Sequence, residues 1–214
     1  MHHTVSFQVQ RLACRLALVA AAFVVWPAHA QDAPPSVRAP QDAPRVKFAT
    51  SMGDIVVEVY PDKAPKTVEN FLQYVRDKHY DSTILHRVID NFMIQGGGYD
   101  TRYAQKPTRT PIAHEGREAL AKGGPRNVTG TLAMARTMDP NSARAQFFIN
   151  VKDNAFLDHT APTPQGYGYT VFGKVVAGMD VVNRIKSVPT GPGGPFPSDV
   201  PRTPVVLLSA TLVR

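Results

Sequence analysis

From Val46 onward the chain is cut into short apolar runs, too short for helices of ordinary length. Residues 84–89, 92–95, 131–135, 147–151 and 170–176 form five such runs, and loops rich in Gly and Pro separate them. Short apolar runs of about four to eight residues bounded by turn residues and lacking helical spacing predict strands. Residues 46–50 and 54–60 add a hairpin around Met52-Gly53, and residues 205–213 a last strand. Two stretches carry helical spacing instead. After Pro65, Val68, Phe71, Leu72 and Val75 fall at i, i+3, i+4 and i+7, and Pro suits a first helical turn because its missing N–H would be unsatisfied there anyway. Residues 179–186 place Val181, Val182 and Ile185 on one face, while residues 188–204 carry six prolines and are expected to be a loop. The expected class is mainly β with two helices; the pattern alone leaves barrel and sandwich open.

Within this frame, residues 85–98, LHRVIDNFMIQGGG, set a guanidinium (Arg87) and an amide (Gln95) among residues that otherwise suit a sheet wall. Burying an unpaired charge is costly, so such an arginine needs a reason. Arginine holds five donors, has no acceptor and keeps its proton, so it cannot be a general base but can donate strongly into an apolar pocket. Gly96-Gly97-Gly98 is followed by no Lys-Ser/Thr and no helical pattern, so a turn is expected and not a phosphate cradle. His86 and His159 have no partner at metal or nucleophile spacing and are expected to be structural; His79 and His114 fall in loops. No Gly-x-Ser-x-Gly elbow is present, which disfavours an acyl-transfer hydrolase. By residue type alone Phe92, Met93, Phe147, Phe148 and Leu157 would be core.

The run 85–98, together with GTLAMAR (130–136), AQFFINV (145–151), NAFLDH (154–159) and YTVFGKV (169–175), closely resembles the cyclophilin family of peptidyl-prolyl cis/trans isomerases. The motifs recur in order across residues 46–214. The resemblance implies a closed eight-stranded antiparallel β-barrel capped by two helices, an isomerase of Xaa-Pro bonds, and no cofactor or metal.

Rotation about an Xaa-Pro bond transfers no proton; its obstacle is amide resonance, a barrier of ~18–20 kcal/mol. At the twisted transition state the prolyl nitrogen regains a lone pair, so a donor aimed at it binds that state better than either ground state. The resemblance implies that Arg87 is this donor. It places Phe92, Met93, Phe148 and Leu157 around the proline ring, and makes Gln95 and Gln146 the amides that orient Arg87 and hold substrate backbone. Ala135 and Arg136 match the segment lying along the peptide, where eukaryotic members commonly have asparagine at 136. Phe156 and Tyr169 stand where many eukaryotic members have tryptophan and histidine, which implies weak cyclosporin binding and intact catalysis. The rival expectation is a proline-recognising binding module or holdase; presence of both Arg87 and Gln95 favours the enzyme.

Arg11 and Arg15, the uncharged apolar stretch 16–26 and the Ala28-His29-Ala30 exit have the order of a secretory signal peptide, too short for a membrane span. Cleavage after Ala30 would remove Cys14, the only cysteine, and take the formal charge from +7 to +5 by removing those two arginines. A cysteine-free exported chain suits an oxidising compartment, here the periplasm. Residues 31–45, QDAPPSVRAPQDAPR, repeat Gln-Asp-Ala-Pro and are expected to be an extended tether before a domain at 46–214. Basic residues are scattered without a stacking-aromatic stripe, so nucleic acid is not an expected partner. Flexible proline-containing polypeptides are, and the expected state is a monomer without stable membrane association.

Overall fold

The computed structural model describes residues 43–213; the expected signal segment 1–30 and most of the tether lie outside them. The described chain is mainly β. β1 (Arg45–Thr50) and β2 (Gly53–Val59) form the expected hairpin, with Val46, Phe48, Ile55, Val57 and Val59 turned inward. Short strands follow at β3 (Thr83–Ile84), β4 (Arg87–Ile89), β5 (Met93–Gly96), β6 (Thr131–Met134) and β7 (Phe147–Asn150), then the longer β8 (Val171–Ala177). Near the C-terminus come β9 (Thr190–Gly193), β10 (Phe196–Pro201) and β11 (Val206–Val213). Nine of these strands make one antiparallel sheet in the order β3-β11-β1-β2-β8-β6-β7-β5-β4, and β9 pairs with β10 alone.

The closed eight-stranded barrel expected from the sequence is therefore replaced by a curled nine-stranded sheet whose two edges are β3 and β4. The reason lies in residues 84–89, expected as one strand. Leu85 and His86 leave the ladder, and the Leu85 amide donates instead to the Val205 carbonyl at 2.9 Å. β3 pairs with β11 while β4 pairs with β5, so the chain itself links the two edges over two residues where ladder bonds would close a barrel. The loop expected at 188–204 is a second departure. It folds back as the β9–β10 ribbon, turning at Gly194 with φ near +50°, a conformation glycine adopts without strain. Its prolines are tolerated because an isolated ribbon has edges on both sides.

Among the described residues three helices, not two, pack on the sheet. α1 (Pro65–Arg76) buries Val68, Phe71, Leu72 and Val75, and α3 (Met179–Lys186) buries Val181, Val182 and Ile185, as their spacing predicts. α2 (Gly116–Ala121) is short, and its sequence carries too few apolar residues for a periodicity to show. Just before it, the buried Glu115 carboxylate accepts from the Lys66 and Thr67 amides at 3.1 and 2.8 Å. That satisfies orphan donors at the start of α1 and places negative charge at the positive end of its dipole. Between helices and sheet, Phe48 stacks on Phe147 at 5.1 Å and Phe71 meets Phe172 at 5.1 Å. No helix among the described residues is long and apolar enough to cross a membrane.

Candidate active site

Pairing register builds the site. Arg87 faces Gln95, Gln95 faces Phe148, Phe148 faces Ala133 and Ala133 faces Val171, so one rung crosses β4, β5, β7, β6 and β8. Side chains on a rung share a face, and the neighbouring rung points the other way. The neighbours Val88, Ile94, Ile149 and Leu132 accordingly join the main core. The Arg87 rung leads into a separate apolar cluster of Met93, Ala133, Phe148, Leu157 and Val171, with Phe92, Ala135 and Tyr169 partly buried against it.

Above this cluster lies a cleft of about 310 Å³. Of the residues that the sequence nominates, Arg87, Phe92, Met93, Gln95, Ala135, Arg136, Gln146, Phe148, Leu157 and Tyr169 line it. Phe156 does not. Its ring is 71 % exposed and stacks on Phe92 at 5.7 Å, forming an aromatic shelf at the rim. Three further lining residues are not nominated by the sequence: His86, Tyr99 and Phe196. Their rings touch pairwise, at 4.7 Å for His86–Tyr99, 5.2 Å for His86–Phe196 and 5.0 Å for Tyr99–Phe196. His86, expected to be merely structural, thus belongs to the cleft wall. Phe196 could be found only once the ribbon bearing it was known.

The polar groups are few and placed. The half-buried Arg87 guanidinium lies 5.9 Å from the centroid of the Phe92 ring and joins no ion pair among the described residues. Gln95 Nε2 donates to Gln146 Oε1 at 2.9 Å, so the two amides hold each other beside the arginine. Gly98 makes room for this pair, since an added Cβ would sit 2.5 Å from Gln146 Nε2. Arg136 is spread over Tyr169 at 4.9 Å and donates to the carbonyls of Gly168, Thr137 and Pro164 at 2.7 to 2.9 Å. Burial first, and then the charge of Arg87, pushes His86 down to about 4, so it is neutral at pH 7.

A buried amide network borders the apolar floor. Asn154 Nδ2 donates to the Phe92 carbonyl at 2.8 Å and to Asn150 Oδ1 at 2.8 Å. Asn150 donates to Asn127 Oδ1 at 3.2 Å, and Asn127 to the Leu157 carbonyl at 3.2 Å and the Asp158 carboxylate at 3.0 Å. The network thereby fixes the backbone of two residues of the wall, Phe92 and Leu157. Buried amides without partners would be destabilising; satisfied ones specify a single arrangement.

Chemically, the site offers a donor that never loses its proton above an apolar floor, with no nucleophile–base pair beside it among the described residues. Residues 45–212 match the family described as cyclophilin type peptidyl-prolyl cis-trans isomerase/CLD. Peptidyl-prolyl cis-trans isomerase cyp18 of Streptomyces antibioticus is 57 % identical over 168 residues, 78 % of this chain and 98 % of that protein. Peptidyl-prolyl cis-trans isomerase B of Escherichia coli is 53 % identical over 167 residues, again 78 % and 98 % of the two chains. A crystal structure of a cyclophilin type peptidyl-prolyl cis-trans isomerase of Cryptosporidium parvum shares the fold at a TM-score of 0.62, with 22 % identity over 80 % of this chain and 98 % of that one. The same Cryptosporidium protein has also been solved in the presence of the dipeptide Ala-Pro, matching at a TM-score of 0.60 and 22 % identity over 79 % of this chain and 99 % of that one. The chain belongs to the cyclophilin type peptidyl-prolyl cis-trans isomerase family. It is thus an enzyme of the class that rotates Xaa-Pro bonds.

Proposed function

We propose that this isomerase acts on accessible Xaa-Pro bonds of exported polypeptides, with Arg87 as the group that selects the twisted transition state. The observation that carries the reading is the rung itself, which sets a guanidinium with no ion-pair partner among the described residues in line with Phe148, over an apolar floor in a cleft of about 310 Å³. The proline ring sits on Met93, Phe148 and Leu157, with Phe92 at its edge. Arg87 donates to the prolyl nitrogen as that atom turns pyramidal. This bond gains strength only as the amide twists, which lowers the barrier and not just the energy of the bound substrate. Gln95 and Gln146 hold the flanking backbone, Ala135 and Arg136 lie along the peptide, and Tyr169 closes the wall through its edge-on contact with Phe148 at 5.4 Å. The chain needs no metal or cofactor for this step, since no proton or group is transferred.

The N-terminal sequence supports the proposed setting, a signal segment removed after Ala30 and a Pro-rich tether, with the domain at work in the periplasm as a monomer. There it would speed folding steps limited by proline isomerisation, which take tens of seconds or more uncatalysed. Weak cyclosporin binding is expected, with Phe156 at the cleft rim where an indole donor would be needed. Intact mass of the protein recovered from a periplasmic extract tests the setting: a chain starting at Gln31 supports it, and a full-length chain in the membrane fraction overturns it.

A further inference from the structure

We infer that a second cleft, next to the proline pocket, selects an acidic side chain on one flank of the proline; this rests on the isomerase reading above. The cleft has a volume of about 390 Å³ and shares Gln95, Ala135, Arg136 and Gln146 with the first. A peptide with its proline over Phe148 must therefore lay a neighbouring residue across the shared wall. Beyond that wall stand Thr137, Ser142 and Arg144. The lining holds two guanidinium groups and no carboxylate.

Neither arginine is neutralised. Arg136 and Arg144 enter none of the ion pairs among the described residues. Arg136 spends its donors on three backbone carbonyls, and the exposed Arg144 donates only to the Arg109 carbonyl, at 2.6 Å. The acids nearby are already engaged. Asp139, in the loop that supplies Thr137 and Ser142, caps its own turn by accepting from the Asn141 amide, does not line the cleft and pairs with neither arginine, while Asp77 is paired with the Arg109 side chain. With Arg87 across the shared wall, three guanidiniums that cannot lose their protons border the path of the substrate. A glutamate side chain reaching this cleft meets uncompensated positive charge and the free donors of Arg144. A glutamine of the same length gains only hydrogen bonds, and a lysine is repelled.

The experiment measures kcat/KM on proline peptides carrying Glu, Gln or Lys at each position from three before to two after the proline. At one flank the order should be Glu, Gln, Lys, with Glu over Gln by about threefold to fivefold at low salt, the scale of a part-exposed ion pair. Because the readout is a ratio within each variant, general changes in activity cancel. Arg144→Ala should bring the ratio close to one, Arg144→Lys should keep most of it, and high salt should erase it in the unsubstituted protein. Equal rates for the three side chains at every position would overturn the inference, as would a ratio unchanged in Arg144→Ala. Failure of the isomerase reading would look different: no peptide would turn over. Binding of the same series, followed by NMR, would then decide the preference by itself, with equal Glu and Gln affinities counting against it.

Discussion

The two faces of the curled sheet are made from adjacent residues and meet opposite fates. Phe147 faces inward, stacking on Phe48 within the main core, while Phe148 faces outward into the five-residue cluster under the cleft. On the inner face, packing between Phe48, Ile94, Ile149 and Leu207 leaves a void of only about 10 Å³, at the lower limit for a single water. On the outer face about 310 Å³ stays open above side chains that are just as apolar. Helix residues pack into the core under the first face, whereas loop and ribbon residues, among them Leu157, Tyr169 and Phe196, stand on the second as the walls of a cleft. An apolar floor beside a guanidinium with no ion-pair partner among the described residues is what the proposed proline site requires, so the same alternation that closes the core also builds that site.

The largest expected effect tests this contrast directly. Phe147→Ala should cost about 3–5 kcal/mol of stability, because a filled interior cannot collapse onto the missing ring. Phe148→Ala should cost roughly half as much, since its void opens to the cleft and solvent. It should also weaken proline-peptide binding and turnover together. Urea unfolding with peptide titration on both variants checks this; equal stability losses with unchanged peptide affinity would break the comparison.

His86, in the two-residue break between β3 and β4, offers the next test. Burial and the Arg87 charge hold its folded value at about 4, below the 6.5 of the free side chain. A depressed histidine contributes stability in full above pH 6.5 and loses it as pH falls toward 4, a span worth up to about 3 kcal/mol. Burial lowers His79 and His114 as well, with the same sign. Stability should thus fall between pH 6.5 and 4, with a shallower slope in His86→Gln. Turnover per folded molecule should stay flat from mildly acidic to mildly basic pH, because rotation about an Xaa-Pro bond transfers no proton. A bell-shaped rate profile would point to other catalytic groups. The smallest effect belongs to the rim: Phe156→Trp should raise cyclosporin affinity by about fivefold to tenfold, the scale of one added hydrogen bond, and hardly alter turnover. Unchanged affinity would place the drug away from residue 156.

Much of this contrast was legible in the sequence. Period-two alternation in residues 147–151 separates Phe147 from Phe148 only once a family pattern says which face is open, because both are apolar and composition treats them alike. Helical spacing fixed α3 to the residue, as Val181, Val182 and Ile185 leave one register. The nine-stranded open sheet was hidden because Leu85 and His86 look like strand residues and leave the ladder for tertiary reasons. The β9–β10 ribbon was hidden by its prolines, which signal a loop, and with it went Phe196 and the ring contacts to His86 and Tyr99. The amide network of Asn127, Asn150 and Asn154 draws on three separated segments, so no local pattern announces it.

The central claim is that Arg87 serves the twisted state more than the bound one, and Arg87→Ala tests it most directly. Line-shape or exchange NMR on one proline peptide reports both affinity and isomerisation rate from the same samples. The exchange rate should fall by about a hundredfold or more, the scale of losing one transition-state donor. Affinity should weaken by only a few-fold, as for one ordinary hydrogen bond, with the floor of Met93, Phe148 and Leu157 intact. Near-normal exchange in Arg87→Ala, or a loss of affinity as large as the loss of rate, would contradict the account.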